Sequence, residues 1–249
     1  STDLERWSHN QPDNGTFELY INKRNFFPDS GVYSYEYNTN TDSGKARLWF
    51  RNSENHNTLT LGKVTDGNRY ASDFKYAADA DVLVFENQGY DNLKHRRTVF
   101  YVDKSYFVLV DEGIGEATGD LHLNFNLCEN KDNVVLDAEQ KGAHTSFADN
   151  NNIVIRTFAE DNNSITCQEK EGRFSFSSSA NDGYKERIAY SIDMNKADNK
   201  TARFATVILP IEKYTEEKEI SVTFGECTNN SISVNVTVAG ETKTLSYTL

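Results

Sequence analysis

Five side chains near the start of this 249-residue chain are of the kinds that acid–base and metal chemistry use. His9, Gln11 and Asp13 alternate in His9-Asn10-Gln11-Pro12-Asp13, so in an extended segment all three project to one side. Asp29 lies in the turn Phe27-Pro28-Asp29-Ser30-Gly31, and His56 in Asn55-His56-Asn57-Thr58 at the entry to a strand. Gln11, Asp29 and His56 together offer an amide oxygen, a carboxylate and an imidazole. That is a possible three-ligand site, open to Zn²⁺, Ca²⁺ or Mn²⁺. Each residue also has a plainer explanation. His9 can be a surface histidine, Asp29 can cap a loop, and His56 can be an exposed loop histidine.

A second group is basic. In Lys94-His95-Arg96-Arg97 a strand would turn His95 and Arg97 one way and Lys94 and Arg96 the other, so half the run could line a groove. A solvated strand edge is the alternative. Lys23, Arg24, Arg47 and Arg51 add further cations early in the chain. No nucleophile elbow, phosphate-binding loop, dinucleotide fingerprint or HExxH pair is present.

Such residues need a scaffold, and the sequence points to β-structure. Thr16–Ile21, Val32–Tyr37 and Thr58–Leu61 alternate, Asp81–Glu86 reads as a more buried strand, and Leu121–Leu127 alternates strictly. Arg97–Val102 and Ser105–Val110 form the clearest hairpin, joined by Asp103-Lys104, which lacks the glycine of a type I′ turn and leaves the turn type open. Further alternating runs, from Asn152–Phe158 to Thr242–Tyr247, are separated by Asp, Asn, Gly and Ser clusters. Helical periodicity is nearly absent, and Tyr70–Ala80 has room for one short helical turn. The expectation is an all-β, large antiparallel β-sandwich with few or no helices, occupying 1–249. Pro210–Lys213 marks a hinge before a small terminal sheet at 211–249.

Composition excludes several classes. A net charge of −12 and a pI near 4.9 argue against a nucleic-acid binder and against attraction to an acidic membrane surface. No apolar run approaches the roughly twenty residues of a membrane span. Cys128, Cys167 and Cys227 include no CxxC pair, so they predict buried thiols and at most one disulfide, and they leave the compartment open. The start Ser1-Thr2-Asp3-Leu4 is no signal peptide and sits almost on the His9 motif, which suggests a piece of a longer protein.

The stretches Gln11-Pro12-Asp13-Asn14-Gly15-Thr16-Phe17-Glu18-Leu19, Asn25–Gly31, Trp49-Phe50-Arg51, His56–Leu61, His95–Phe100 and Phe107–Glu112 resemble the heparinase II/III-like domain of bacterial polysaccharide lyases. The likeness is densest over residues 7–130 and nearest to the heparinase III-type heparan-sulfate lyases. It implies the C-terminal, supersandwich-like part of an enzyme whose N-terminal (α/α) toroid is absent from this chain. It also implies cleavage of a sulfated uronic-acid polysaccharide by β-elimination, with no nucleic-acid partner and a periplasmic or secreted location. His9 matches the sandwich's active-site histidine. Gln11, Asp29 and His56 match a structural metal site; relatives often carry His where this chain has Gln11, which shifts the expectation from zinc towards calcium or manganese. Tyr33 and Arg96 are the expected substrate contacts. A non-catalytic carbohydrate-binding module and a purely structural sandwich are the alternatives, and the fragment alone is expected to be inactive.

Overall fold

A computed structural model describes residues 11–62, 72–76, 81–129, 131–161, 164–175, 183–214 and 219–249, with backbone only at 72–76 and 129. His9 lies outside these residues. The chain opens with a small hairpin, β1 (Tyr20–Ile21) and β2 (Arg24–Asn25), followed by helix α1 (Asp42–Arg51). Next come β3 (Leu59–Leu61), β4 (Ser72–Tyr76), β5 (Val82–Tyr90), β6 (Leu93–Val102), β7 (Tyr106–Ile114) and β8 (Gly119–Glu129). The middle of the chain supplies β9 (Val134–Asp137), β10 (Gly142–Thr145), β11 (Asn152–Ala159), β12 (Ile165–Phe174), β13 (Lys185–Lys196) and β14 (Ala202–Ile211). The end supplies β15 (Ile220–Phe224), β16 (Ser231–Val238) and β17 (Glu241–Thr248).

The larger strands form three antiparallel sheets. An eight-stranded sheet runs β4-β5-β6-β7-β14-β11-β10-β9, a four-stranded sheet β12-β13-β8-β3, and a three-stranded sheet β15-β16-β17. Period-two alternation on the middle sheet explains the layering. Along β14, Phe204 and Ile208 point to one core, shared with Leu121, Leu123, Phe125 and Ile192 of the four-stranded sheet. Ala205, Val207 and Leu209 point to a second core, shared with Val222, Val234 and Val236 of the three-stranded sheet. A strand covered on both faces reads as an almost unbroken apolar run, as Ala202–Ile211 does. The all-β antiparallel sandwich is therefore present, in three layers.

Several local expectations are corrected. Val32–Tyr37 has no strand partner among the described residues; Tyr35 and Tyr37 instead lie against the Arg47 guanidinium of α1, at 5.7 and 4.1 Å. Helix α1 itself was not expected, because its buried face is Gly44, Ala46, Arg47 and Phe50, with one large apolar side chain among them. Its capping is clear in retrospect: the Thr41 hydroxyl accepts from Gly44 N at 3.0 Å, and Asp42 and Arg51 complement the helix dipole. The helical turn expected within Tyr70–Ala80 is replaced at Ser72–Tyr76 by β4; the rest lies outside the described residues. Cys128 alone is buried; Cys167 and Cys227 are half-buried, and none of the three is in a disulfide. Asp103 and Lys104 both take positive φ, 48° and 54°, which is type I′ geometry without glycine.

Candidate metal centre

Three turns carry the candidate ligands. Asp13 opens a turn closed by Thr16 N on Asp13 O at 2.9 Å. Asp29 sits in a turn where its Oδ1 accepts from Gly31 N at 2.8 Å. Gly31 has φ +82°, and a Cβ there would lie 2.1 Å from Ser175 O, so the turn requires glycine. His56 follows a 3-10 turn at Ser53–Asn55 and is 1% exposed, so it is not the exposed loop histidine of the plainer explanation.

The turns bring Asp13, Asp29 and His56 together, with one ligand-type atom of each within 4.8 Å of the others. His56 Nδ1 lies 2.8 Å from Asp29 Oδ2, while its Nε2 is buried without a partner among the described residues. Gln11 donates from Nε2 to Gly31 O at 3.2 Å, leaving its Oε1 buried and, among the described residues, unpartnered. Asp13 is the member that the sequence did not single out as a ligand. Its signal was the alternation that sets it two residues after Gln11.

The two carboxylates respond differently to burial. Burial raises the Asp13 pKa above the usual carboxylate value and Asp29 adds to it, against the opposing pull of His56. Burial also pushes Asp29 upward, but the His56 hydrogen bond and charge, the Gly31 amide and the Arg187 charge together hold it below 3.8. Two carboxylates crowded together, with unpartnered imidazole and amide atoms close by, form a donor set that suits a divalent cation.

Hydrogen bonds tie the turns to each other. The Ser53 hydroxyl donates to Pro12 O at 2.6 Å and the Thr58 hydroxyl to Asn14 O at 2.7 Å. Asn57 donates from Nδ2 to Phe17 O and Phe27 O at 3.1 and 3.2 Å. The Ser30 hydroxyl donates to Asn55 O at 2.5 Å.

The two expected substrate contacts part company. Tyr33 stacks on Phe50, with ring centroids 5.7 Å apart, and meets Tyr184 edge-on at 5.9 Å. Arg173 lies over both Trp49 and Tyr184, at 4.9 and 4.5 Å, which makes an aromatic platform with an arginine set into it. Arg96, by contrast, is 1% exposed. It donates from Nε to Glu112 Oε2 at 2.5 Å and from Nη1 to Asn229 O at 2.6 Å, so it has no open face for a polysaccharide. The run Lys94–Arg97 is not a solvated edge: His95 and Arg97 meet Asp111 on one side, and Lys94 and Arg96 meet Glu86 on the other. A separate cleft of about 800 Å³ is lined by Lys23, Arg24, Lys131 and Lys185, with Asp132 and Glu186 among its acids.

The family model described as Heparinase II/III-like, C-terminal matches residues 4–223. The chain belongs to this family. One heparinase II/III-like relative, the heparin-sulfate lyase of Bacteroides thetaiotaomicron, is 52% identical over 253 residues, covering 100% of this chain and 35% of its own length. The heparin-sulfate lyase of Bacteroides stercoris is 35% identical over 245 residues, covering 97% of this chain and 35% of its own. A crystal structure of heparinase III superposes with a TM-score of 0.90 at 50% identity, covering 99% of this chain and 37% of that one. The chain thus spans about a third of the length of the relatives it matches.

Proposed function

We propose that this chain is the C-terminal sandwich of a heparan-sulfate lyase and that it contributes a cation-braced loop to an active site shared with an N-terminal toroid. The observation that supports this best is the cluster of two half-buried carboxylates, Asp13 and Asp29, with the buried His56 in a domain of the heparinase II/III-like family. In the proposed reaction a base removes the C5 proton of the uronate. The C4–O bond breaks as a C4–C5 double bond forms, and the leaving oxygen takes a proton. His9 serves as a partner to the uronate carboxylate or in proton transfer, and Tyr33 contacts the sugar.

Asp13, Asp29 and His56 would hold the ion, with Gln11 Oε1 beside them. The ion would cross-link the three turns and so fix the segment that begins at His9. An imidazole with two carboxylates favours Zn²⁺ or Mn²⁺ over Ca²⁺, which prefers oxygen alone. Lys23 of the cleft offers local positive charge to a sulfated chain, whereas Lys131 and Arg173 are ion-paired with Glu186 and Glu171, and the chain as a whole carries −12. The proposal includes a periplasmic or secreted location, where a polysaccharide substrate is met.

Complementation tests the shared site. This chain with heparan sulfate should yield no unsaturated uronate absorbance, the full-length protein should yield it, and full-length His9→Ala should not. Robust product from the 249-residue chain contradicts the division of labour. A second possibility, a carbohydrate-binding module, is favoured by the exposed Tyr184 and the Trp49–Arg173 platform. It predicts that full-length His9→Ala keeps its turnover while binding the polysaccharide less tightly.

A further inference from the structure

We infer that two buried arginines, Arg97 and Arg187, are positioning residues for the cation cluster: each grips the backbone of the turns that carry Asp13, Asp29 and His56. The inference rests on the cation site proposed above. Arg97 belongs to β6 and Arg187 to β13, so one arginine rises from each of the two sheets that enclose the larger core. Both are 3% exposed.

Arg97 donates from Nη1 to two carbonyls, Gly15 O and Asn57 O, the latter at 2.8 Å. Gly15 is two residues beyond Asp13, and Asn57 adjoins His56. A single guanidinium nitrogen therefore fixes the spacing between two ligand-bearing turns. The guanidinium is held in turn by Asp111 Oδ1, 2.7 Å from Nε, and lies 5.0 Å from the Phe17 ring centroid.

Arg187 does the same for the third turn. Its Nη1 donates to Pro28 O at 2.6 Å, immediately before Asp29, and to Leu127 O at 3.4 Å. Its Nη2 donates to the Ser30 hydroxyl at 2.5 Å, and that hydroxyl passes its own proton to Asn55 O at 2.5 Å, next to His56. The path Arg187–Ser30–Asn55 thus joins the Asp29 turn to the His56 turn.

Charge alone does not explain the pair, because two guanidinium cations beside a cation site oppose the ion. What arginine supplies is a planar fork with donors in fixed directions, which a lysine cannot reproduce. Removing the partners that orient metal ligands typically weakens metal binding by about 10–100-fold. An arginine that merely fills the core would leave ion affinity untouched when replaced by a lysine that still folds.

The test uses the whole 249-residue chain as Arg97→Lys, Arg187→Lys and Ser30→Ala. Each is titrated with Zn²⁺, Mn²⁺ and Ca²⁺ separately, by calorimetry and by the rise in Tm that each ion produces. The lysine variants keep the positive charge and lose the fork. They should keep the wild-type circular dichroism while affinity falls about 10-fold or more, with a correspondingly smaller ion-dependent rise in Tm. Should both lysine variants fail to fold, Ser30→Ala decides, since it breaks the path from Arg187 to Asn55 without replacing an arginine; weaker binding is the expected result. Folded variants with wild-type affinity overturn the positioning role and leave the cation site standing. A wild-type chain that binds none of the three ions removes the cation site, and the positioning role with it.

Discussion

Among the described residues, the Asp29 carboxylate makes two hydrogen bonds, more than the side chain of any other candidate ligand. One carboxylate oxygen stabilises its own turn through Gly31 N, and the other meets His56. Asp29→Asn keeps the size of the side chain and removes the charge, so ion binding should fall below detection in a calorimetric titration while circular dichroism stays native. Gly31 is the residue the turn cannot replace. Gly31→Ala combines a left-handed φ with backbone overlap at Ser175 O, and should destabilise the chain by at least ~2 kcal/mol in urea unfolding. The sequence made Asp29, His56 and the Pro-Asp-Ser-Gly turn legible because each is a known kind of local signal. It left Asp13 out of the ligand set, because only the three-dimensional approach of the turns shows which of thirty-eight acidic residues converge. Arg96 was misassigned for a related reason. A cation in an acidic chain invites a polyanion, yet its partner, Glu112, is on the adjacent strand.

At the scale of elements, β6 is the strand on which the account turns. Its alternation, legible in Lys94-His95-Arg96-Arg97, sends His95 and Arg97 to Asp111 and Arg96 to Glu112. His95 is buried, which lowers its pKa below 6.5 despite the opposing hydrogen bond that its ring donates to Asp111. The folded chain therefore keeps His95 neutral where the unfolded chain already binds a proton. Stability should fall as pH drops below about 6.5 towards the folded value. In His95→Gln the slope of Tm against pH over that range should be shallower than in wild type; an equal slope would assign the acid sensitivity to other groups. The strands were readable from alternation, because the sheets bury one or both faces regularly. Helix α1 was not, because an arginine and small residues make up most of its buried face. The run Val32–Tyr37 alternates like a strand, yet Tyr35 and Tyr37 lie against the Arg47 guanidinium and Tyr33 stacks on Phe50.

For the whole molecule, the eight-stranded sheet is the shared wall of two cores, and two arginines ion-paired within that sheet hydrogen-bond to the smaller layer. Glu112 is fully buried and accepts from Arg96 Nε at 2.5 Å and Arg203 Nε at 2.9 Å. The same two arginines donate to Asn229 O and Thr228 O, in the turn before β16. Glu112→Ala removes the carboxylate that two buried guanidiniums share, leaving Arg96 only Glu86 and Arg203 only Glu160, and should lower stability by about 3 kcal/mol in chemical denaturation. The layering itself was only partly legible: the apolar run of β14 announced burial on both faces, but no local pattern says which sheet covers which face. The Asp13, Asp29 and His56 cluster is what links this fold to the proposed lyase, and one measurement tests it. Equilibrium dialysis of the chain, stripped of metal and then offered Zn²⁺, Mn²⁺ and Ca²⁺ in turn, should retain a single tightly held ion in the wild type and none in His56→Ala. Retention unchanged by His56→Ala, or no retention by the wild type, would contradict the account.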